Sequence, residues 1–141
     1  MDKDHPLWEK TIEYASSCSW KAGPFLADMM RSASSDIIRV IAASQDGNIV
    51  GFCTLAHKDE LPEDSEYTPA IGFVFVDEKA RGKRVSQKMI DAASEYAGSL
   101  GYEYVYLLSG ETGLYEKYGF TKIGDSDTIF GTTDRLFRRR I

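Results

Sequence analysis

Two cysteines, Cys18 and Cys53, are all that a chain of 141 residues carries. Their separation fits neither a CxxC pair nor a zinc-ligand set, which excludes a disulfide framework and a structural metal site. Each is expected as a small buried hydrophobe, and no metal is expected in the chemistry. Long apolar runs are missing too. Ile71 to Val76 is broken by Gly72 and falls far short of the roughly 20 residues that a membrane-spanning helix needs. The opening MDKDHPLWEK lacks a signal-peptide core, so a cytoplasmic protein without a membrane partner is the expectation. No G-x-G occurs, and no GxxxxGK[ST], which removes the common nucleotide-phosphate loops. Basic excess is absent as well. A formal net charge of -5 is wrong for neutralising phosphates along a nucleic acid, and the one basic run, Arg138 to Arg140, reads as a solvated tail or a strand edge.

What remains is 43% hydrophobic and 28% charged, with both signs interspersed, the composition of one globular domain spanning residues 1–141 around one core. There is no internal repeat. Pro6 suits a first helical turn, and Trp8, Ile12 and Ala15 recur on one face. A second helix after Gly23 and Pro24 is expected to bury Phe25, Leu26, Met29, Met30 and Ala33. The pattern then changes to strands. Ile37 to Ala43 and Ile49 to Ala56 flank Asp46 and Gly47, whose glycine tolerates the positive φ of a tight hairpin.

An acidic loop, His57 to Pro69, leads into the nearly continuous apolar run Ala70 to Val76, as expected of a strand covered on both faces. A long helix follows, with the stripe Val85, Met89, Ala92, Ala93, Tyr96, Ala97 and Leu100 and a stop at Gly101. Tyr104 to Leu108 completes a strand, helix, strand unit. A short helix at Leu114 to Tyr118 ends at Gly119, and two more strands close the chain. The fold class is α/β in the broad α+β sense: a mixed, mostly antiparallel sheet flanked by helices.

Two segments carry chemistry. In DEKARGKRVSQ, Asp77 to Gln87, a buried strand gives way to a long helix through a basic turn. Helix starts bind anions through free N–H groups, and Arg81, Lys83, Arg84 and the Ser86 hydroxyl add donors. The second is LYEKYGF, Leu114 to Phe120. Together, RGKRVS and LYEKYGF resemble the GNAT family of acyl-CoA N-acyltransferases, whose signature is R-x-x-G-x-G or A followed by a tyrosine in Y-x-x-x-G-F. The motifs span Ala70 to Phe120; the remainder agrees in element order. Arg84 and Ser86 stand where the family usually has glycines.

The resemblance implies acetyl-CoA as co-substrate and a primary amine as acceptor, attacked directly in a ternary complex, with no metal. It implies that Arg81, Gly82, Lys83, Arg84, Val85 and Ser86 hold the pyrophosphate. Phe73, Val74, Phe75 and Val76 would pair with the pantetheine arm, and Tyr115 and Lys117 would also contact the co-substrate. The family's sheet splays between its fourth and fifth strands, here Ala70 to Val76 and Tyr104 to Leu108, and the thioester lies in that gap. Tyr115 falls on the tyrosine that protonates the departing thiolate, a general acid. The base is chosen on chemical need alone: Glu66 is taken first, with Asp64, Glu111 and His57 as the other candidates. A homodimer stays open. The competing reading is a catalytically silent acyl-CoA-binding sensor of the same fold, against which the presence of Tyr115 speaks.

Overall fold

The computed structural model describes residues 1–141. Helices α1 (Trp8–Ser17) and α2 (Gly23–Arg31) precede strands β1 (Ile37–Gln45), β2 (Asn48–Ala56) and β3 (Ala70–Val76). Helix α3 (Val85–Ser99), β4 (Tyr104–Ser109), a 3-10 turn at Tyr115–Tyr118, β5 (Thr121–Asp127) and β6 (Thr133–Arg140) complete the chain. The six strands form one sheet in the order β1-β2-β3-β4-β6-β5, antiparallel throughout except for the parallel pair β3 and β4. A parallel pair requires a crossover connection, and α3 supplies it. Counted along this chain the splayed strands are the third and fourth rather than the fourth and fifth.

Alternation along the strands divides the core between the two faces of the sheet. Phe52 packs with Ile12, Leu26, Met30 and Phe75 under α1 and α2. Its neighbour Cys53 joins Leu55, Ile71, Ile90, Val105 and Phe137 under α3. A third, smaller cluster of Leu61, Ala70 and Leu136 lies beneath the 57–69 loop, so that loop is a cover for the sheet rather than a bare connection. The hairpin between β1 and β2 turns through Asp46 and Gly47 with φ of 53° and 82°, the twist-matched turn expected of a two-residue loop.

Three expectations shift. On α2, Leu26 is 0% exposed but Phe25 is 69% exposed, and Ala33 lies beyond the helix end in a left-handed conformation with φ 51°. On α3 the buried positions are Met89, Ile90, Ala93, Ser94 and Ala97, while Ala92 and Leu100 face outward. Ser94 is tolerated inside because its hydroxyl donates to the Ile90 carbonyl at 2.8 Å. Arg138 to Arg140 lie on β6, which runs between β4 and β5 and is neither a tail nor an edge. Arg139 reaches Asp91 at 2.7 Å, and Arg138 stands 4.5 Å from the Tyr104 ring centre. Of the cysteines, Cys53 is fully buried, its thiol pushed up to about 12 first by burial, and Cys18 is half-buried. No helix is long and apolar enough to cross a membrane.

Adjacent residues on α2 provide a test of this packing. Leu26→Ala leaves a cavity in a fully buried site and should cost about 2–5 kcal/mol, whereas Phe25→Ser should change stability by no more than about 0.5 kcal/mol. Urea unfolding of the two variants measures both.

Candidate active site

The parallel pairing of β3 and β4 lasts for two residue pairs, Ala70 with Tyr106 and Ile71 with Leu107. Beyond them the strands part. Part of the cause lies in β3 itself. Its register against β2 slips between Thr54, opposite Gly72, and Phe52, opposite Phe75, so Phe73 and Val74 together face Cys53. Phe73 takes φ of 50°, a left-handed conformation unusual for a bulky side chain. Such a bulge bends its strand, and here it lies where the pairing of β3 with β4 ends and takes the β3 backbone out of the regular ladder.

A cleft of about 870 Å³ opens in the fork, bordered by Gly72 to Val76 on one side and by Leu107 to Ser109 and Tyr115 on the other. Trp20, from the connection between α1 and α2, stacks on Phe75 at 5.7 Å and 3° and forms part of the wall. A second, smaller cavity of about 230 Å³ lies at the start of α3 and shares Val76, Arg81 and Ser86 with the first. The two are therefore parts of one groove, which runs from the basic turn into the fork.

The basic turn is arranged for an anion. No side chain caps α3, and the N-cap residue Arg84 sits in the left-handed region at φ 60°. That conformation is the physical reason glycine suits the position; this chain holds an arginine there instead. Gly82, Arg84, Val85 and Ser86 line the smaller cavity, with Tyr118 donating to or accepting from the Ser86 hydroxyl at 2.8 Å. Arg81 folds back, its Nε donating to the Val76 carbonyl at 3.1 Å. Lys83 and Lys117 are exposed and border neither cavity.

Tyr115 is buried at 7% exposure, packed edge-on against Tyr118 and Phe120. Burial, reinforced by Glu111 and Tyr118, pushes its hydroxyl up to about 12, with the Ser109 side chain acting in the opposite direction. The phenol therefore keeps its proton throughout the neutral range.

Of the base candidates, Glu66, Asp64 and His57 are exposed and do not border the cleft; Glu111 is exposed and does. The carboxylates that the cleft gathers from the acidic loop are Asp59 and Glu60. Asp36 fixes the start of this loop, its carboxylate accepting from the backbone N–H of Lys58 at 2.9 Å and of Asp59 at 3.0 Å. Asp59 lies against β3 at Gly72, where a Cβ would come within 2.3 Å of its Oδ1. Burial, then the neighbouring Glu60 and Asp36, push its carboxyl up to about 7. Glu60 is raised as well, by burial and by Asp134. The signal that could have singled out Asp59 was Gly72: a glycine inside an otherwise apolar strand marks a place where another group approaches closely. No group of His, Cys, Asp and Glu residues is arranged to hold a metal ion.

The chain thus combines a mixed sheet forked between two parallel strands, a basic helix start at one end of the fork and a buried tyrosine beside it. The chain belongs to the acetyltransferase (GNAT) family, whose sequence pattern matches residues 5–120. An aminoglycoside 6'-N-acetyltransferase solved in complex with coenzyme A has the same fold, with a TM-score of 0.69 and 15% identity over 99% of this chain and 94% of that one. A GNAT family N-acetyltransferase (YhbS) from Escherichia coli in complex with CoA superposes with a TM-score of 0.70 and 17% identity, covering 94% of this chain and 75% of that one. The aminoglycoside 6'-N-acetyltransferase from Enterococcus faecium gives a TM-score of 0.69 and 14% identity over 99% and 94%. No curated protein matches the chain.

The close approach at Gly72 predicts that Gly72→Ala displaces Asp59, because the new methyl group and the carboxylate occupy the same space. A ¹³C carboxyl titration of the wild type should show an aspartate with a midpoint near 7, and in Gly72→Ala that midpoint should fall toward the ordinary aspartate value of about 3.9.

Proposed function

We propose that the protein transfers an acetyl group from acetyl-CoA to a primary amine by direct attack within a ternary complex. The observation that supports the reading is the groove: the uncapped, basic start of α3 opens into a fork between two parallel strands, with Tyr115 in the fork wall. The charges fit CoA. Its pyrophosphate requires N–H donors and positive charge at one end, and the uncapped start of α3 with Arg81 and Arg84 offers both. Its pantetheine arm carries amides that need backbone partners, and the free edge of β3 from Phe73 to Val76 offers those.

In this reading the amine nitrogen forms a bond to the thioester carbonyl carbon, and the carbonyl π pair moves to oxygen. The C=O then re-forms as the C–S bond breaks, leaving its electron pair on sulfur. Tyr115 stands where that anion develops. A phenol held at about 12 is a weaker acid than an ordinary thiol at about 8.5. Its contribution is therefore a hydrogen bond that strengthens as sulfur becomes negative, with the proton passing across only when the phenolate is itself stabilised.

Thiol release from acetyl-CoA across spermidine, kanamycin and a lysyl peptide tests the reading. Binding of acetyl-CoA without thiol release to any amine would favour the sensor module instead. Tyr115→Phe keeps the ring in its aromatic cluster, so acetyl-CoA affinity should hold while kcat falls roughly ten- to a thousandfold; an unchanged rate of the chemical step removes Tyr115 from the mechanism. Replacing Arg81 and Arg84 together by Ala should weaken acetyl-CoA binding by about 2–3 kcal/mol, on the order of two charge-assisted contacts. Titration calorimetry of that double variant measures the loss directly.

A further inference from the structure

We propose that Asp59 receives the acceptor's ammonium group in the fork and takes up its proton before attack, so that the acceptor is a cationic amine presented from the 57–69 loop side. This role rests on the acetyltransferase reading above. Three observations place it. Asp59 touches β3 at Gly72, the first residue beyond the paired stretch of β3 and β4, so its carboxylate stands where the fork begins. The same cleft contains Tyr115, so a donor for sulfur and an acceptor for the amine proton border one space. No side chain donates a hydrogen bond to the Asp59 carboxylate, and only the nearby Glu60 backbone N–H favours its ionised form. Its outer lone pairs are left for a ligand.

The surrounding charges agree on the sign of that ligand. From its own loop Glu60 borders the same space, as does Glu111 beyond β4, while Asp36, outside the cleft, adds its charge to the Asp59 surroundings. Lys58, next in the chain, is turned away, its ammonium donating to the Ser65 carbonyl. The cation that borders the cleft, Arg81, is tied to Val76, four residues along β3 or roughly 13 Å away. Anionic CoA and a cationic acceptor are thereby drawn to opposite ends of one groove.

The proton balance closes. The ammonium loses one proton to the Asp59 carboxylate and the free amine attacks. The nitrogen sheds a second proton as the amide forms, and this proton, or one passed through Tyr115, goes to the thiolate. Asp59 then returns its proton to solvent. Per turnover, one ammonium and one thioester give one amide, one thiol and one released proton.

Asp59 is competent only when ionised, so kcat/KM for the amine should rise with pH through about 7. With the most active of spermidine, kanamycin and the lysyl peptide, Asp59→Asn should lower kcat/KM by on the order of 100-fold. It should abolish that rising limb and leave acetyl-CoA affinity within twofold. Folding provides an independent readout. Because the folded-state carboxyl is raised above its unfolded value, the contribution of Asp59 to stability is most favourable below about 4 and declines as pH rises toward 7. Asp59→Asn should therefore melt higher than wild type at pH 8 and lose that advantage near pH 4, which also shows that the variant folds. Wild-type turnover matched by Asp59→Asn in rate and pH profile overturns the Asp59 role alone. Absence of thiol release from the wild type with every amine, acetyl-CoA still binding, overturns the transfer reading and this role with it.

Discussion

Parallel strands gain their regularity from evenly spaced ladder bonds, and β3 and β4 abandon that ladder after two residue pairs. The geometry of the candidate site follows from where they do so. Had the pairing continued, the fork would be filled by sheet, Phe73 to Val76 would have no free backbone, and Tyr115 would lie in ordinary core. The bulge at Phe73, with its left-handed backbone, imposes the separation from the β3 side. Aromatic packing surrounds that conformation: Trp20 meets Phe73 edge-on and stacks on Phe75, Phe52 packs on Trp20 and Phe75, and Tyr14 packs on Phe52 and Phe75. Tyr14 also donates to Asp77 at 2.8 Å, fixing the far end of β3 to α1. The Lys79 backbone N–H, with that hydroxyl, holds the Asp77 carboxyl below its usual range.

Much of this was legible in the sequence because local patterns and global fold agree. The strand boundaries, the hairpin at Asp46 and Gly47, and the stops at Gly101 and Gly119 follow from turn chemistry, and the structure places each within a residue or two. Misses came where two solutions share one periodicity. On α2, Phe25 and Leu26 are both apolar neighbours, and only packing against Phe52 and Met30 selects Leu26. On α3, alanines at 92, 93 and 97 fit several stripes equally well, and the choice of Ile90 over Leu100 depends on how the helix lies across the sheet.

The site divides in the same way. The RGKRVS and LYEKYGF segments stood out because their patterns are local, a helix start and a tyrosine in a short turn, and the structure has that helix start and that turn at those positions. The acidic loop could not be resolved among Asp59, Glu60, Glu63, Asp64 and Glu66, since five carboxylates within eight residues look alike until the chain is folded. What separates them is an approach between residues thirteen apart in sequence, Asp59 and Gly72, fixed by Asp36 from a third place in the chain. Burying that carboxylate works against stability at neutral pH, a conflict of the kind that is common where a protein does chemistry.

The strand order carries one more implication, for how the chain reaches its fold. β5 precedes β6 in sequence yet sits at the sheet edge with β6 as its sole strand partner. During synthesis β5 emerges with nowhere to pair, and β4 is left with an open edge on the same side. Both wait for Thr133–Arg140, the strand that slots between them. Until it arrives, two unpaired edges coexist in one nascent chain, the condition under which strands find partners on other molecules. The half of the sheet under α1 and α2 can assemble early from local hairpins, whereas the half that holds the fork closes last.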